Sequence, residues 1–220
     1  MSRAPIPGQT KTRLEAELSP EECAQVHKAF LKDMGQMLLK VQEHRDINLY
    51  LAYTPAGTVD MFDDLIPTEF ERFLQRGQDL GAKMEEALSY AAQANDEEIV
   101  IGSDLPALQP QVLIRAIDLL QENDIVLGPS EDGGYYLCGT NQPYSFLFDD
   151  ILWGQEEVLK ATIAKIENQD NLSYDLVASC GDIDYCSELI ELKEKLQQAE
   201  EWESYPQHTA ERIEKLKMKI

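Results

Sequence analysis

Short apolar runs alternate with stretches of helical period along this chain, and that alternation limits its possible folds more than any other feature. Ser19-Pro20-Glu21-Glu22 is a capping box with proline at the first helical position, opening a predicted helix that reaches about Glu43. Its apolar residues Cys23, Val26, Phe30, Met34, Met37, Leu38 and Val41 recur at helical spacing. Strand-like runs are predicted over 47–53, 98–102, 124–127, 134–139 and 173–179. Helices are predicted over 79–93, 110–122 and 155–168, with a less regular stretch after Pro55. From Ser187 onward the pattern is charged and helical, with the Glu-Lys spacings of a solvated face. Such interleaving implies an α/β fold whose central sheet is mostly parallel and covered on both sides. Residues 1–190 are expected to form that domain, and 191–220 a helical extension packed on it.

Charge narrows the partners. The 220 residues hold 41 Asp+Glu against 19 Lys+Arg, a formal net charge of −22. That field repels a polyphosphate backbone, so nucleic acid is excluded as an expected partner. No stretch approaches the ~20 consecutive apolar residues of a membrane span, and Met-Ser-Arg-Ala-Pro-Ile-Pro-Gly lacks a signal core. Cys23, Cys138, Cys180 and Cys186 show no Cys-x-x-Cys pairing, so reduced thiols in the cytoplasm are expected and a zinc site is not.

In open α/β sheets ligands bind beyond the carboxyl ends of the strands. Three predicted strand ends deliver acids there: Asp104 after 99–101, Glu131 and Asp132 after Val126-Leu127, and Asp182 with Asp184 after 176–178. Asp132-Gly133 between two β-prone runs is by itself a hairpin signal. Three converging sets, however, repel unless a cation joins them. Magnesium suits such a rim, because it takes one or two carboxylates and completes its shell with phosphate oxygens and water. The N-terminal Gly8-Gln9-Thr10-Lys11-Thr12-Arg13 reverses the local charge and offers cations for phosphate, although it is not a Walker A loop.

Five ordered elements carry a resemblance: Pro5-Ile6-Pro7-Gly8-x-x-Lys11-Thr12-Arg13-Leu14, Gln75-x-Gly77-x-Asp79-Leu80-Gly81-x-x-Met84, Gly102-Ser103-Asp104-x-Pro106, Gly128-Pro129-x-x-Asp132-Gly133-Gly134-Tyr135-Tyr136 and Asp182-Ile183-Asp184. Together they resemble the bacterial glycosyltransferases known as rSAM/selenodomain-associated transferases, within the nucleotide-diphospho-sugar transferase superfamily. The Lys-Thr-Arg-Leu element is more distantly similar to the guanylyltransferases of phospholactate and molybdenum cofactor synthesis. The resemblance implies a GT-A fold, a Rossmann-like three-layer α/β sandwich, with an apparently truncated first strand ahead of Pro5.

It also implies roles. Lys11 and Arg13 correspond to cations on the donor diphosphate, with Gly8 in the same loop. Asp104 and Asp184, with Asp182, correspond to ligands of Mg²⁺ or Mn²⁺. Gln75 and Gly77 correspond to the nucleotide pocket, although Gln75 equally suits a helix cap. Asp132, Gly133 and Gly134 correspond to the sugar or acceptor side, with Asp132 a candidate base. Tyr135 and Tyr136 must face opposite ways in a strand, and Trp153 reads as a core aromatic before a stacking platform. Tyr185 stands where relatives carry threonine, and Gln155 where a small hydroxyl residue is more usual.

The expected activity is metal-dependent transfer of a sugar from a nucleotide diphosphate donor to a small acceptor. The alternatives are nucleotidyl transfer to a phosphorylated small acid, and nucleotide binding without turnover. The stretch 131–144 contains no Lys or Arg to hold a phosphorylated acceptor, which favours sugar transfer.

Overall fold

Ser19 caps the long first helix as its sequence predicts. In this computed structural model, which describes residues 1–198 and 202–216, the Ser19 hydroxyl accepts from the Glu22 amide at 3.2 Å, and the Glu22 carboxylate accepts from the Ser19 amide at 3.0 Å. The resulting helix α1 spans Pro20–Gln42. The remaining helices are α2 (Leu80–Ala91), α3 (Pro110–Leu120), α4 (Val158–Glu167), α5 (Cys186–Gln197) and α6 (Gln207–Glu214).

Among the described residues seven strands form two sheets. β1 (Ser2–Arg3), β2 (Tyr50–Thr54) and β3 (Glu71–Leu74) lie in that order, and β1 pairs parallel to β2 with Ser2 opposite Tyr53. The second sheet has the order β4 (Glu98–Ile101), β6 (Tyr135–Thr140), β5 (Ile125–Pro129), β7 (Tyr174–Leu176). β6 runs antiparallel to both β4 and β5, while β5 and β7 are parallel. Thus β4, β5 and β7 share one direction, and the α/β fold with mostly parallel strands is present. The one short strand absent from the sequence reading is β3. The first strand is indeed brief, at two residues.

The chain divides into two compact units. One comprises Ser2–Phe73, Ser103–Pro110 and the described residues from Asp182 onward. It holds two apolar clusters. The first joins Leu14, Val26 and Phe30 to Ile183, Leu189 and Ile213, and the second gathers Leu31, Leu51, Phe62 and Ile66. The other unit comprises Met1, Leu74–Gly102 and Gln111–Gly181. Its core packs Met84 and Leu88 of α2 and Ile166 of α4 against Val100, Ile125, Leu127 and Cys138 of the sheet. The four cysteines are free thiols.

Two buried acids depart from this apolar plan. Asp33, on α1, accepts from the backbone amides of His208 at 3.0 Å and Thr209 at 2.7 Å. It thereby caps α6, whose own preceding residue, Pro206, supplies no side-chain cap. Asp33→Ala leaves two buried amides unpaired and is expected to cost about 2 kcal/mol, read as a lowered urea midpoint, with Asp33→Asn closer to wild type.

Glu98 begins β4 opposite Thr140, and neither Glu98 Oε2 nor Thr140 Oγ1 has a protein hydrogen-bond partner. Burial, with Asp96 and Glu97 adding repulsion, pushes the Glu98 carboxyl up to about 7. A carboxyl whose pKa rises on folding binds its proton more tightly in the native state, so stability falls as pH rises from the ordinary glutamate range through 7. Glu98→Gln is expected to raise the melting temperature at pH 8, with the gain vanishing at pH 4. A gain of equal size at both pH values would show that the carboxyl's charge is not responsible.

Candidate functional site

Lys11 stands on left-handed backbone, φ 52 and ψ 38, immediately before a 3-10 turn over Thr12–Ala16. Non-glycine residues seldom adopt this conformation. Its side chain is 4% exposed, and its ammonium lies 6.0 Å from the centre of the Phe30 ring. The three N–H donors have three acceptors: Asp104 Oδ2 at 2.5 Å, the Ile183 carbonyl at 2.7 Å and Asp184 Oδ1 at 3.0 Å. Arg13, largely exposed, bonds the other Asp184 oxygen and lies 5.4 Å from the centre of the Tyr185 ring.

Backbone bonds fix the two aspartates. The Asp104 carbonyl accepts from the Ile183 amide at 3.0 Å. At the start of α5, the Glu188 carboxylate accepts from the Asp184 amide at 2.5 Å and the Tyr185 amide at 2.8 Å. Behind Asp104, Ser103 Oγ donates to Asp104 Oδ1 at 3.0 Å and lies 3.1 Å from Ser2 Oγ. His27 is buried on α1, with Nε2 2.9 Å from the Arg3 carbonyl. Because a carbonyl only accepts, Nε2 carries the proton. Nδ1 then faces Asp104 Oδ1 at 3.8 Å with no hydrogen-bond partner.

The electrostatics follow from this arrangement. Burial alone would lower the Lys11 pKa, but the summed attraction of Asp104 and Asp184 leaves it above the ordinary lysine value. Asp104 shows the converse balance: burial pushes its pKa up, and Lys11, with the Ser103 hydrogen bond, brings it below the usual carboxylate range. Burial lowers the His27 pKa, which keeps the ring neutral near pH 7.

Of the residues singled out from sequence, Lys11, Arg13, Asp104 and Asp184 therefore meet. Asp182 is half-buried and adds to the negative field at Arg13. Gly8 is exposed, with φ +72 and open space where a Cβ would stand. Gln75, Gly77, Asp132, Gly133 and Gly134 belong to the other unit. A Cβ on Gly77 would lie 2.6 Å from the Lys83 amide nitrogen, and one on Gly133 would lie 2.0 Å from the Glu156 carbonyl oxygen. The space beside Gly133 is therefore filled by backbone. Asp132 Oδ1 accepts from the Gly134 amide at 2.9 Å and from Ser130, closing the β5–β6 hairpin. Tyr136 donates to the Ala178 carbonyl at 2.8 Å, whereas Tyr135 packs edge-on against Trp153. Trp153 also stacks on Phe148, so the core reading of that indole holds.

Sequence reasoning missed His27 and Ser2. His27 does carry a signal, since it lies one turn beyond Cys23 and one before Phe30 on the apolar face of α1. Among the described residues, no group of three or more His, Cys, Asp or Glu could hold a metal ion. Asp104 and Asp184 do, however, converge with a carbonyl on one cation, which fits a metal completed by substrate oxygens.

A family model matches residues 37–155, taking in Asp104 and Asp132 but not Lys11, Arg13 or Asp184. The chain belongs to that family, described as "Uncharacterized protein conserved in bacteria (DUF2064)". This DUF2064 chain is also similar to a 2-phospho-L-lactate guanylyltransferase of Methanothermobacter thermautotrophicus, 27% identical over 125 residues. The aligned stretch is 56% of the chain and 53% of that relative, so the chain spans about half the relative's length. A crystal structure from Desulfovibrio desulfuricans G20, described as a "putative nucleotide-diphospho-sugar transferase", superposes with TM-score 0.83 at 26% identity. It covers 97% of this chain and 94% of its own. The 4-diphosphocytidyl-2C-methyl-D-erythritol synthase of Anaerococcus prevotii shares the fold, with TM-score 0.57 at 11% identity over 77% of this chain and 89% of its own. The DUF2064 chain thus has the fold of nucleotide-diphospho-sugar transferases, with transferases among its relatives.

The ion cluster makes its own prediction. Asp104→Asn removes one of the two carboxylates that neutralise a buried ammonium and is expected to cost about 2–3 kcal/mol, while Lys11→Met leaves Asp104 without its cation and Asp184 with Arg13 alone. A thermodynamic cycle in metal-free buffer should find the double variant more stable than additivity predicts by about 1–2 kcal/mol. Additive losses would mean that the contact contributes nothing.

Proposed function

We propose that this chain is a transferase that moves a sugar from a nucleotide diphosphate donor to a hydroxyl of a small acceptor. The observation that carries this reading is the buried Lys11 ammonium, gathered with Arg13 beside Asp104 and Asp184 at the residues of three sequence motifs. The likeness to the Desulfovibrio desulfuricans structure, over 97% of this chain, supports it. Sugar transfer leaves negative charge on the departing diphosphate, and cations placed before reaction stabilise that charge most effectively. In this reading Arg13, exposed and able to reorient, meets the phosphates first, and Lys11 supplies the second cation. Gly8 leaves its loop room to approach the donor. Gln75 and Gly77 serve the nucleotide pocket.

Asp104 and Asp184, with Asp182 nearby, would hold Mg²⁺ or Mn²⁺, which when bound neutralises diphosphate charge. Asp132 is the proposed base toward the acceptor, with Gly133 and Gly134 on its side of the site. Its Oδ1 is engaged in the hairpin, so Oδ2 is the oxygen that would take the proton.

A second reading is nucleotidyl transfer to a phosphorylated small acid, favoured by the similarity to a guanylyltransferase. The two differ in what they release. Incubation with nucleoside triphosphates and nucleotide sugars, each with Mg²⁺ or Mn²⁺ and a panel of small acceptors, should release nucleoside diphosphate from a nucleotide sugar. Pyrophosphate release would transfer the assignment to nucleotidyl chemistry, and tight binding without either product would identify a non-catalytic nucleotide-binding module. Once the donor is known, Asp132→Asn is expected to reduce turnover about a hundredfold with donor affinity unchanged. An unaltered rate would leave Asp132 as a hairpin residue only.

A further inference from the structure

The acceptors around the Lys11 ammonium are the kind a hard divalent cation uses. They are two carboxylate oxygens, from Asp104 and Asp184, and one backbone carbonyl, from Ile183. Magnesium and manganese favour oxygen ligands, whereas a lysine ammonium is a compact charge with three donors. The three oxygens surround Nζ at 2.5–3.0 Å, one for each N–H. An ammonium and a divalent ion cannot both occupy that point, because like charges so close in a poorly solvated setting repel strongly. Among the described residues Lys11 is the only lysine or arginine paired with Asp104, and Ser103 donates only a hydroxyl.

We infer that Lys11 is an internal stand-in for the metal: in the ligand-free protein its ammonium fills the cation position, and a divalent ion enters only as Lys11 withdraws. This rests on the reading above for what draws Lys11 out, namely a donor diphosphate that offers the ammonium a replacement anion. The surrounding loop suits such a movement. Lys11 sits on a left-handed backbone that non-glycine residues seldom hold, and Gly8 lies three residues earlier with open space where a side chain would stand. Metal and diphosphate would then bind interdependently, each weak without the other. Without metal, Asp104 is not left unpaired, because the lysine neutralises it and shares Asp184 with Arg13.

The test needs no nucleotide. Mn²⁺ is titrated into the wild-type protein, Lys11→Met, Lys11→Arg and the Lys11→Met/Asp104→Asn double variant, with free Mn²⁺ followed by electron paramagnetic resonance. Lys11→Met, which removes the competing charge at similar size, is expected to bind Mn²⁺ at least about tenfold more tightly than wild type. The double variant should lose that gain, and Lys11→Arg, which keeps a cation, should stay as weak as wild type. Equal affinity in wild type and Lys11→Met overturns the proposal, as does tight binding by Lys11→Arg. If Lys11→Met is unfolded in metal-free buffer, Mn²⁺ must refold it, as followed by circular dichroism. Failure to refold also overturns the proposal. Because no donor is present, failure of the transferase reading would produce none of these results.

Discussion

One ammonium group holds three stretches of chain that are far apart in sequence. Lys11 comes from the N-terminal loop, Asp104 from the loop after β4, and Ile183 and Asp184 from the approach to α5. In a chain with a net charge of −22, a buried cation is scarce, and its position matters correspondingly. Desolvating Lys11 costs free energy, and only a full set of acceptors with formal negative charge offsets that cost. The structure provides two carboxylates and a carbonyl, one for each N–H. Remove either partner and the other is left in a setting that does not suit a lone charge. The direct bond from the Ile183 amide to the Asp104 carbonyl ties the same segments through their backbones, so the ionic cluster is supported from behind.

Helix α1 forms the floor of this arrangement and much of the packing around it. Phe30 is fully buried and lies near the Lys11 ammonium, and His27, less than one turn earlier, stands against Asp104. One turn of helix therefore presents an aromatic surface to the lysine and a neutral imidazole to the aspartate. Asp33 continues along the helix and caps α6 through two amides. Burial raises the pKa of this carboxyl, although the Thr209 and His208 hydrogen bonds oppose the shift. Helix α1 thus couples the ion cluster to the C-terminal packing of the same unit.

Much of this was legible in the sequence wherever a local rule decides the structure. The Ser19-Glu22 capping box, the helical spacing of Val26 and Phe30, and the β-prone runs around Val100 and Leu127 act through near neighbours. Lys11, Arg13, Asp104 and Asp184 could be named because ordered motifs carried them. Strand β3 was not visible, because Glu71-Arg72-Phe73-Leu74 has little alternation and gains its place by pairing in the sheet. The partners of His27 were equally hidden, since Ser2 and Asp104 lie 25 and 77 positions away. The surroundings of the glycines were hidden too, since Gly133 lies against the Glu156 carbonyl and Gly81 against the Trp153 indole. Sequence shows that a side chain is missing there; only the fold shows what fills the space.

The acids at the strand ends are resolved in different ways, and the difference bears on their chemistry. Asp104 and Asp184 cannot be neutralised by their immediate neighbours in sequence, so they share a distant lysine. Asp132 is satisfied within four residues, by the Ser130 hydroxyl and the Gly134 amide, and Glu131 rests about 3.2 Å from the space where Gly181 would carry a Cβ. A carboxylate stabilised by its own turn keeps its partners whatever binds elsewhere. A carboxylate stabilised by a lysine from a distant segment depends instead on where that segment is held. The Asp104–Asp184 pair is therefore the place where one cation could replace another, and the hairpin is not. Converging carboxylates do demand a cation, but that demand is met by the chain's own lysine before any ion from solution is required.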